Sequence, residues 1–278
     1  MMPLRSPAPD SNAVEVLEPD HGIFDFKVVK NFSRNYLATY YNQPPTMDEH
    51  TVLSFLARHY PRITGRPCAI EIGCGPTVHH VLPLAPYVSE IHMADYLPDN
   101  LEQVALWRNG AAAAHCWHRY TSLTLQLEGQ AATPAAIEQR EREVRNKMTS
   151  VVRCDLKSSQ PLPSITQYAA VGCFYVAENI GIAKDEWARV MARIAAITAS
   201  GGYLFLSALR QTDHYVVRHP GGITRRYPSA VLTEDDVRDL LPQLGFGAHD
   251  LIVESRDIAG QEDEGVNGVI LVTARKTD

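Results

Sequence analysis

Short apolar segments alternate with amphipathic segments along most of the chain. From residue 67 onward, each apolar run of strand length is followed by apolar positions at helical spacing, a pattern that predicts alternating strands and helices. The predicted strands cover residues 67–72, 90–95, 150–155, 169–177, 203–209, 249–257 and 268–276, and the predicted helices cover residues 76–85, 99–110, 130–148, 184–198 and 233–244.

The last two predicted strands differ from the rest in how they are connected. The segment from Arg256 to Asn267 is too short and too polar for a crossover helix, so these strands are expected to form an antiparallel hairpin. The earlier alternation predicts parallel strands covered on both faces. The predicted fold class is therefore α/β: a Rossmann-like, mostly parallel sheet of the class I methyltransferase type, with an antiparallel C-terminal hairpin and an N-terminal helical cap.

The N-terminal part predicts two further units. Residues 1–20 contain four prolines and little periodic apolar content, which is typical of a mobile arm. Residues 21–66 are predicted to form a helical cap, with one helix in the later part of 25–42, ended by Pro44 and Pro45, and another over 48–59. Residues 67–278 then form the catalytic domain.

The composition is that of a globular protein. Of 278 residues, 45% are hydrophobic and 21% are charged, which excludes a wholly disordered chain, a collagen and a coiled coil. Lys+Arg 26 against Asp+Glu 32 gives a net charge of −6. Since no long basic run is present, neither nucleic acid nor an anionic membrane is the expected partner.

The cysteines favour a reducing compartment. Their number is odd and they contain no C-x-x-C pair: Cys68, Cys74, Cys116, Cys154 and Cys173. This favours buried thiols over a disulfide framework, and no ligand spacing predicts a metal site. The N-terminus lacks the apolar core of a signal peptide, and no apolar run reaches about 18 residues. A cytoplasmic protein is expected.

The strongest local pattern is a strand that ends in an acid and turns through two glycines. Glu71, Gly73, Gly75 and Thr77 lie in E-I-G-C-G-P-T, directly before a predicted helix, and glycine lets the backbone approach a ligand. Val78 stands where a dinucleotide fingerprint has its third glycine. This argues against NAD but not against S-adenosylmethionine (SAM), which has no pyrophosphate. An ordinary strand–turn–helix corner is the alternative.

Two more predicted strands end in acids. Asp95 ends the next strand, where a carboxylate can accept hydrogen bonds from a ribose diol. Asp155 ends V-V-R-C-D, where it can accept one from an adenine amino group. Any one of these acids is compatible with a solvated turn. The three together predict one adenosine-containing ligand at this edge of the sheet.

These motifs carry a family resemblance. From about Asn31 to Lys276 the chain resembles the nicotinamide, phenylethanolamine and thioether methyltransferase family. N-F-S-R-N-Y-L-A-T-Y-Y is similar to the family's cap helix, I-E-I-G-C-G-P-T-V-H-H to its glycine motif, A-D-Y-L-P-D-N-L to its ribose segment, C-D-L-K-S-S-Q-P-L to its adenine segment and S-G-G-Y-L-F-L-S-A-L to its later strand. The resemblance implies SAM as the cofactor.

The resemblance also implies roles for individual residues. Two tyrosines would close on the methionine end of SAM, an Asp and an Asn would hold the ribose, and a phenylalanine would lie under the methionyl chain. Aromatic rings suit a sulfonium, which is a cation without N–H donors. The implied SAM-binding residues are Tyr36, Tyr41, Glu71, Gly73, Gly75, Thr77, His79, Asp95, Tyr96, Asn100, Asp155, Leu156 and Phe174.

The chain departs from the family at the substrate end. The strand after Gly201–Gly202 carries Ser207 and no acid, whereas the nicotinamide branch has a substrate-binding aspartate there. The amine-binding glutamate of the phenylethanolamine branch has no evident counterpart either. The candidate catalytic residues are Tyr175, Asn179 and Ser207, and Glu178, His214 and Tyr215 are further polar candidates near the substrate.

The leading functional hypothesis is a SAM-dependent transferase that methylates a small molecule, at nitrogen ahead of sulfur. An alternative from the same resemblance is an azetidine-2-carboxylate synthase, which cyclises SAM itself and releases methylthioadenosine. A non-catalytic SAM-binding protein is the alternative from another class. A small-molecule substrate is the expected partner, and the oligomeric state stays open.

Overall fold

The computed structural model describes residues 14–16, 31–65, 67–164, 166–219, 224–261 and 265–277. Its strands are β1 Val14–Val16, β2 Cys68–Ile72, β3 Glu90–Asp95, β4 Met148–Arg153, β5 Tyr168–Phe174, β6 Thr198–Leu209, β7 His214–Arg218, β8 Thr224–Pro228, β9 Ile252–Asp257 and β10 Gly268–Arg275. Its α-helices are α1 Phe32–Tyr36, α2 Met47–His59, α3 Pro98–Arg108, α4 His118–Leu127, α5 Pro134–Lys147, α6 Ala177–Ile180, α7 Lys184–Ile197 and α8 Glu234–Gln243.

Seven strands form one sheet in the order β4-β3-β2-β5-β6-β10-β9. The neighbours from β4 to β6 pair in parallel, while β10 is antiparallel to both β6 and β9. The predicted α/β class, with a mostly parallel sheet and an antiparallel C-terminal hairpin, is confirmed. Chain order reverses between β2 and β5, and such a reversal opens a crevice at the carboxyl ends of the strands.

Helices cover both faces of this sheet. Phe55 of α2 and Trp107 of α3 belong to one buried apolar cluster, together with residues of α4 and α5. Trp187 of α7 and Val237 of α8 belong to another. The strands between them are buried on both sides, which explains why their sequences are continuous apolar runs.

One predicted helix is wrong. Residues 76–85 form no α-helix; they contain a 3₁₀ turn at His79–Val81, and another follows at Ala85–Tyr87. Pro83 lacks the N–H that a helix needs and its ring clashes with the preceding turn. The segment is also buried on all sides from Val78 to Ala85, so it never had the exposed face of an amphipathic helix.

A second sheet was not predicted. Within the loop that follows β6, strands β7 and β8 pair antiparallel, and β1 pairs in parallel with β8. Val14–Val16 thus lies in a strand, whereas the sequence predicts a mobile arm over residues 1–20. The rest of that arm, and residues 21–30 of the predicted cap, lie outside the described residues.

The described part of the cap is helical, as predicted. Helix α1 continues into a π-helix at Leu37–Tyr41, and α2 follows after Pro44 and Pro45. One-turn π segments are frequent at functional sites. Here the wider turn aligns Tyr36 and Tyr41 five positions apart, with ring centroids 5.9 Å from each other.

Candidate active site

A cavity enclosing about 1150 Å³ of atom-free space lies at the carboxyl ends of β2, β3 and β5. The cap covers it from one side and strand β7 from another. Of the predicted SAM-binding and catalytic residues, those that line it are Tyr36, Tyr41, Gly73, Gly75, Thr77, Asp95, Tyr96, Asn100, Asp155, Leu156, Phe174, Tyr175 and Asn179. The structure therefore brings together residues from five separate segments of the chain.

The glycine turn after β2 forms the floor of the cavity. Gly73 has φ +69°, and a Cβ there would meet a methyl carbon of Val176 at 2.5 Å. Gly75 has φ +59° and nothing within 4 Å of its Cβ position. The first glycine is therefore required for packing and for φ, whereas the second leaves open space toward the cavity.

Asp95 organises this turn. Its Oδ2 accepts a hydrogen bond from the Gly75 N–H at 2.8 Å, and its Oδ1 accepts from the Leu97 N–H at 2.8 Å and from Nδ2 of Asn100 at 2.9 Å. Burial raises the pKa of Asp95, and these hydrogen bonds oppose the rise. The carboxylate therefore holds the turn and the start of α3 in place at the edge of the cavity.

The far end of the cavity has the features predicted for adenine. Asp155 follows β4 and accepts the Lys157 N–H at 3.0 Å. Leu156 is buried beside it. Tyr96 lines the same cavity, with the Arg153 guanidinium 4.9 Å from its ring centroid. An apolar slot with a carboxylate at its edge is suited to a flat base that carries an amino group.

The other end is aromatic. Tyr36 and Tyr41 from the cap face Phe174 and Tyr175 at the end of β5. Tyr175 has φ 55°, a left-handed conformation that costs a bulky residue energy and clusters at functional sites. Its hydroxyl is buried, and burial raises its pKa. Asn179, on α6, donates Nδ2 to the Tyr175 carbonyl at 2.9 Å.

Three predicted site residues do not line this cavity. Glu71 is buried beneath the turn and pairs with Nδ1 of His80 at 2.9 Å. Consequently His80, not His79, faces the cavity. Ser207 is fully buried on β6. Its position on β6 was predictable, but the packing of β5 and the Tyr175 side chain over it was not.

The additional polar candidates also fall into different places. Glu178, in α6, is fully buried, and its Oε1 accepts the Leu209 N–H at 3.0 Å. It does not line this cavity. His214 lies on the outer part of β7 beside Asp213. Tyr215, the next residue, does line the cavity. Its alternate position on a strand explains the difference, since neighbours on a strand point to opposite faces.

A second cavity adjoins the first and was not predicted. The two share Tyr36, Tyr41, His80, Tyr175, Tyr215 and Val217. We call the second one the acidic cavity, because its wall contains Asp48 and Glu49 at the start of α2, with His79 opposite. The sequence shows these acids only as first-turn residues of a helix, where acids are common, so nothing pointed to a ligand.

The residues around the first cavity fit SAM. The Tyr175 hydroxyl and Oδ1 of Asn179 are buried at the aromatic end and make no hydrogen bond with any described residue. These two groups can form hydrogen bonds with the polar groups of the methionyl chain. The turn at Gly75 leaves space for the ligand, the Asp95 carboxylate lines the cavity beside it, and aromatic faces suit the sulfonium. With its strand order, this site defines a class I methyltransferase fold that uses SAM.

Comparison with known proteins identifies the family. The family model described as the NNMT/PNMT/TEMT family matches residues 24–277, and the chain belongs to that family. Indolethylamine N-methyltransferase from Mus musculus is 28% identical over 193 residues, covering 66% of this chain and 72% of the relative. Phenylethanolamine N-methyltransferase from Homo sapiens is 25% identical over 221 residues, covering 77% and 74%.

Solved structures agree on the fold. The DhpI–SAM–HEP complex matches with a TM-score of 0.58 at 13% identity, covering 92% of this chain and 98% of that chain. The structural match confirms the fold, while the family model and the relatives confirm the predicted family, the SAM cofactor and the assignment as a SAM-dependent transferase. No helix among the described residues is long and apolar enough to cross a membrane.

One group of metal-ligand type lies at the opposite ends of the strands. Cys68, Glu90 and His92 place ligand atoms within 4.8 Å of one another. Their spacing along the chain did not reveal this, because it arises from the register of β2 on β3, in which Cys68 is opposite Glu90.

Proposed function

We propose that this protein transfers the methyl group of SAM to a nitrogen atom of a small-molecule amine. The observation that carries the proposal is the pair of joined cavities: one has the groups expected for SAM, and the other opens from its aromatic end. The relatives compared above are named as N-methyltransferases of small molecules, which supports this assignment.

In this proposal, the residues act mainly by binding and orientation. Asp95 and Asn100 hold the ribose, Asp155 and Leu156 hold the adenine, and the Gly73–Gly75 turn lies against the methionyl chain. SAM supplies a methyl carbon made electrophilic by its sulfonium. The cap excludes water from the aromatic end, so that orientation and desolvation account for most of the rate enhancement.

Tyr175, at the end of β5, and Asn179, in α6, are proposed to position the reacting groups. Both stand where the two cavities meet or border it, and each has an unpaired buried oxygen. Ser207 is proposed to act through Tyr175, because the Ser207 carbonyl accepts the Tyr175 N–H at 3.0 Å and so fixes the backbone that carries the ring.

Cyclisation of SAM to azetidine-2-carboxylate is a second candidate, favoured by the aromatic enclosure. Tyr36, Tyr41 and Tyr175 surround the end of the cavity where the methionyl chain would have to fold back. In that reaction the α-amine forms a bond to the γ-carbon, the sulfur–γ-carbon bond breaks, and methylthioadenosine leaves with release of a proton. A tight aromatic wall is suited to imposing such a bent conformation.

One experiment separates the two functions. The pure protein is incubated with SAM alone, then with SAM and a panel of small amines, and the products are analysed by mass spectrometry. S-adenosylhomocysteine that forms only after an amine is added supports methyl transfer. Methylthioadenosine formed from SAM alone, with an equal amount of cyclic amino acid, would contradict methyl transfer and establish the cyclase.

A cytoplasmic location is also proposed. All five cysteines are free thiols, and burial raises the pKa of Cys74, Cys154 and Cys173. Inert, reduced thiols are typical of proteins kept in a reducing compartment. Fractionation of the cells that express the protein tests this location.

A further inference from the structure

The acidic cavity contains a buried carboxylate with spare hydrogen-bonding capacity. Glu49 is 9% exposed. Its Oε2 accepts the Thr46 N–H at 2.9 Å and the Tyr120 hydroxyl at 2.6 Å, and a carboxylate has about four acceptor positions. Burial raises the pKa of Glu49, and the hydrogen bond from Tyr120 opposes the rise.

Asp48 lies next to Glu49, and its side-chain partners among the described residues are neutral. Its Oδ1 accepts hydrogen bonds from the Thr46 hydroxyl and, at 2.9 Å, from Nε2 of Gln261. Among the described residues that line this cavity there is no lysine and no arginine. Within the described part of the wall, two carboxylates thus share a partly enclosed space without a cation, an arrangement that costs free energy unless a positive charge is supplied.

The remaining walls are also suited to a cation. The rings of Tyr36 and Tyr41 line the cavity, with Tyr175 at the junction with the SAM cavity. Electron-rich ring faces attract ammonium groups. Burial raises the pKa of Tyr36 and of Tyr175, and the nearby Glu49 and Asp48 carboxylates add to the rise.

A second polar group is unpaired in this cavity. His79 is 2% exposed, and its Nδ1 makes no hydrogen bond with a described residue. Burial holds the pKa of His79 well below its usual range, so the ring is neutral near pH 7. Its ring stacks on Trp117 at 5.5 Å with an angle of 11° between the planes, which fixes its orientation. A neutral imidazole nitrogen can accept a hydrogen bond from an ammonium group.

We propose that the acidic cavity binds the reacting nitrogen as an alkylammonium ion, with Glu49 and Asp48 as its counter-charges and His79 as a neutral acceptor. The proposal rests on the SAM-dependent function proposed above. It assigns charge recognition to the first turn of α2, beside the cap, and not to β6. An alkylammonium ion has two possible sources here, a separate amine substrate and the α-amino group of SAM itself.

Glu49 is also placed to release the nucleophile. An ammonium nitrogen has no lone pair, so one N–H bond must break before it can attack. The proton passes to Oε1 of Glu49 and the bonding pair stays on nitrogen. A carboxyl group whose pKa is raised by its surroundings is better matched to this transfer than a solvent-exposed one.

Calorimetry with three ligands of equal size tests the proposal. Benzylammonium, benzyl alcohol and benzoate are titrated into protein saturated with S-adenosylhomocysteine, whose own affinity is measured first. Glu49→Gln is the main variant, because glutamine keeps the acceptor for Thr46 and Tyr120 and the N-terminal cap of α2. Asp48→Asn is the second. Glu102→Gln, on the exposed face of α3, is the control.

If a separate amine is the source, benzylammonium binds at least about tenfold more tightly than benzyl alcohol, and benzoate binds most weakly. Glu49→Gln then lowers the preference for benzylammonium over the alcohol by at least about tenfold, as expected for the loss of a charge-assisted hydrogen bond. If the α-amino group of SAM is the source, benzylammonium does not bind, and S-adenosylhomocysteine itself binds at least tenfold more weakly to Glu49→Gln.

The proposal would be overturned if Glu49→Gln and Asp48→Asn bound both benzylammonium and S-adenosylhomocysteine with unchanged affinity. Binding of benzoate equal to that of benzylammonium would overturn it as well. Failure of the wild-type protein to bind S-adenosylhomocysteine would instead contradict the SAM-dependent function. The control variant is expected to match the wild type throughout.

Discussion

Asp95 is the residue on which the first cavity depends most. The sequence predicts it as a ribose ligand, and it lines the cavity. The structure adds that it already accepts three hydrogen bonds, from Gly75, Leu97 and Asn100. Its carboxylate therefore joins the glycine turn to the start of α3 before any ligand arrives.

Replacing Asp95 should affect both binding and folding. Asp95→Ala leaves two buried N–H groups unpaired, so we expect a loss of about 1–3 kcal/mol in the free energy of unfolding. SAM should also bind roughly ten- to a hundredfold more weakly. Urea denaturation and calorimetry measure the two effects, with the exposed Asp185→Ala as the control. Unchanged SAM affinity would remove the ribose assignment.

The two glycines of the turn should respond differently to alanine. At Gly73 the new methyl group would meet the Val176 side chain at 2.5 Å, so Gly73→Ala should lower the free energy of unfolding by several kcal/mol or prevent folding. At Gly75 only the φ penalty of roughly 1 kcal/mol applies. Because its Cβ points into open space, Gly75→Ala should fold and bind SAM more weakly. Equal stability of the two variants would contradict this account.

Glu178 should make stability depend on pH. Burial raises its pKa from 4.5 to about 7, so the folded protein holds a proton that the unfolded chain has lost. Its contribution is complete below the unfolded value and is lost as pH rises to about 7. The loss is up to about 3 kcal/mol.

Glu178→Gln keeps an acceptor for the Leu209 N–H and cannot ionise. We expect its stability relative to the wild type to rise between pH 5 and pH 8, measured by urea denaturation. Burial lowers the pKa of His79, so its contribution to stability changes with pH in the opposite direction. His79 is present in both proteins, and its contribution therefore cancels in the difference between their free energies of unfolding. A constant difference across this pH range would show that Glu178 does not titrate there.

The sequence could predict the site residues whose position depends only on where a predicted strand ends. Asp95 is the last residue of β3 and Asp155 lies two residues after the end of β4, so their meeting at one edge of the parallel sheet follows from topology. Glu49 and His79 come from segments whose relative position depends on how the cap packs on the buried turn at His79–Val81. No local sequence pattern determines that packing, so the acidic cavity could not be predicted from the sequence.

At the scale of elements, the cap is held by a few specific contacts. The Ser33 hydroxyl donates to Oδ1 of Asn100 at 2.6 Å, and both side chains are buried. The Tyr40 hydroxyl accepts the Arg218 N–H of β7 at 2.9 Å. Since Asn100 also donates to Asp95, one chain of hydrogen bonds links the cap to the predicted ribose site.

Removing the Ser33 hydroxyl should loosen the cap. A hydrogen bond of this kind is worth about 1 kcal/mol, so amide exchange over residues 31–42 should become about fivefold faster in Ser33→Ala. Adding SAM should slow exchange over the same residues in the wild type. Ser54→Ala, on α2, is the control. Equal protection with and without SAM would mean that the cap is a fixed part of the fold.

The helices were predicted correctly where their apolar residues form one continuous face. Helix α7 has a broad apolar face and ends close to its predicted boundary. Helix α4 was missed because Thr121 and Thr124 occupy its buried side, where threonine has a low helix propensity and gives no apolar signal. The Thr121 hydroxyl bonds to Glu141 at 3.0 Å, a tertiary contact that the sequence does not show.

At the scale of the whole molecule, the sheet separates two groups of chemically active side chains. The joined cavities lie at the carboxyl ends of the strands, beyond Gly73 and Asp95. Cys68, Glu90 and His92 lie at the opposite ends of β2 and β3. Strands of five or six residues place these two edges roughly 15–20 Å apart, too far for a metal ion at one to polarise a group at the other.

Turnover of SAM should therefore survive chelation. A sulfonium carbon is electrophilic without a Lewis acid, and the lining residues of the first cavity are suited to holding SAM with aromatic rings, an aspartate and backbone groups. We expect the rate of SAM consumption in excess EDTA to stay within about twofold of the untreated rate, with Cys68→Ser behaving like the wild type. If chelation abolished turnover and one divalent ion restored it in the wild type but not in Cys68→Ser, the group at Cys68 would have to control the distant site.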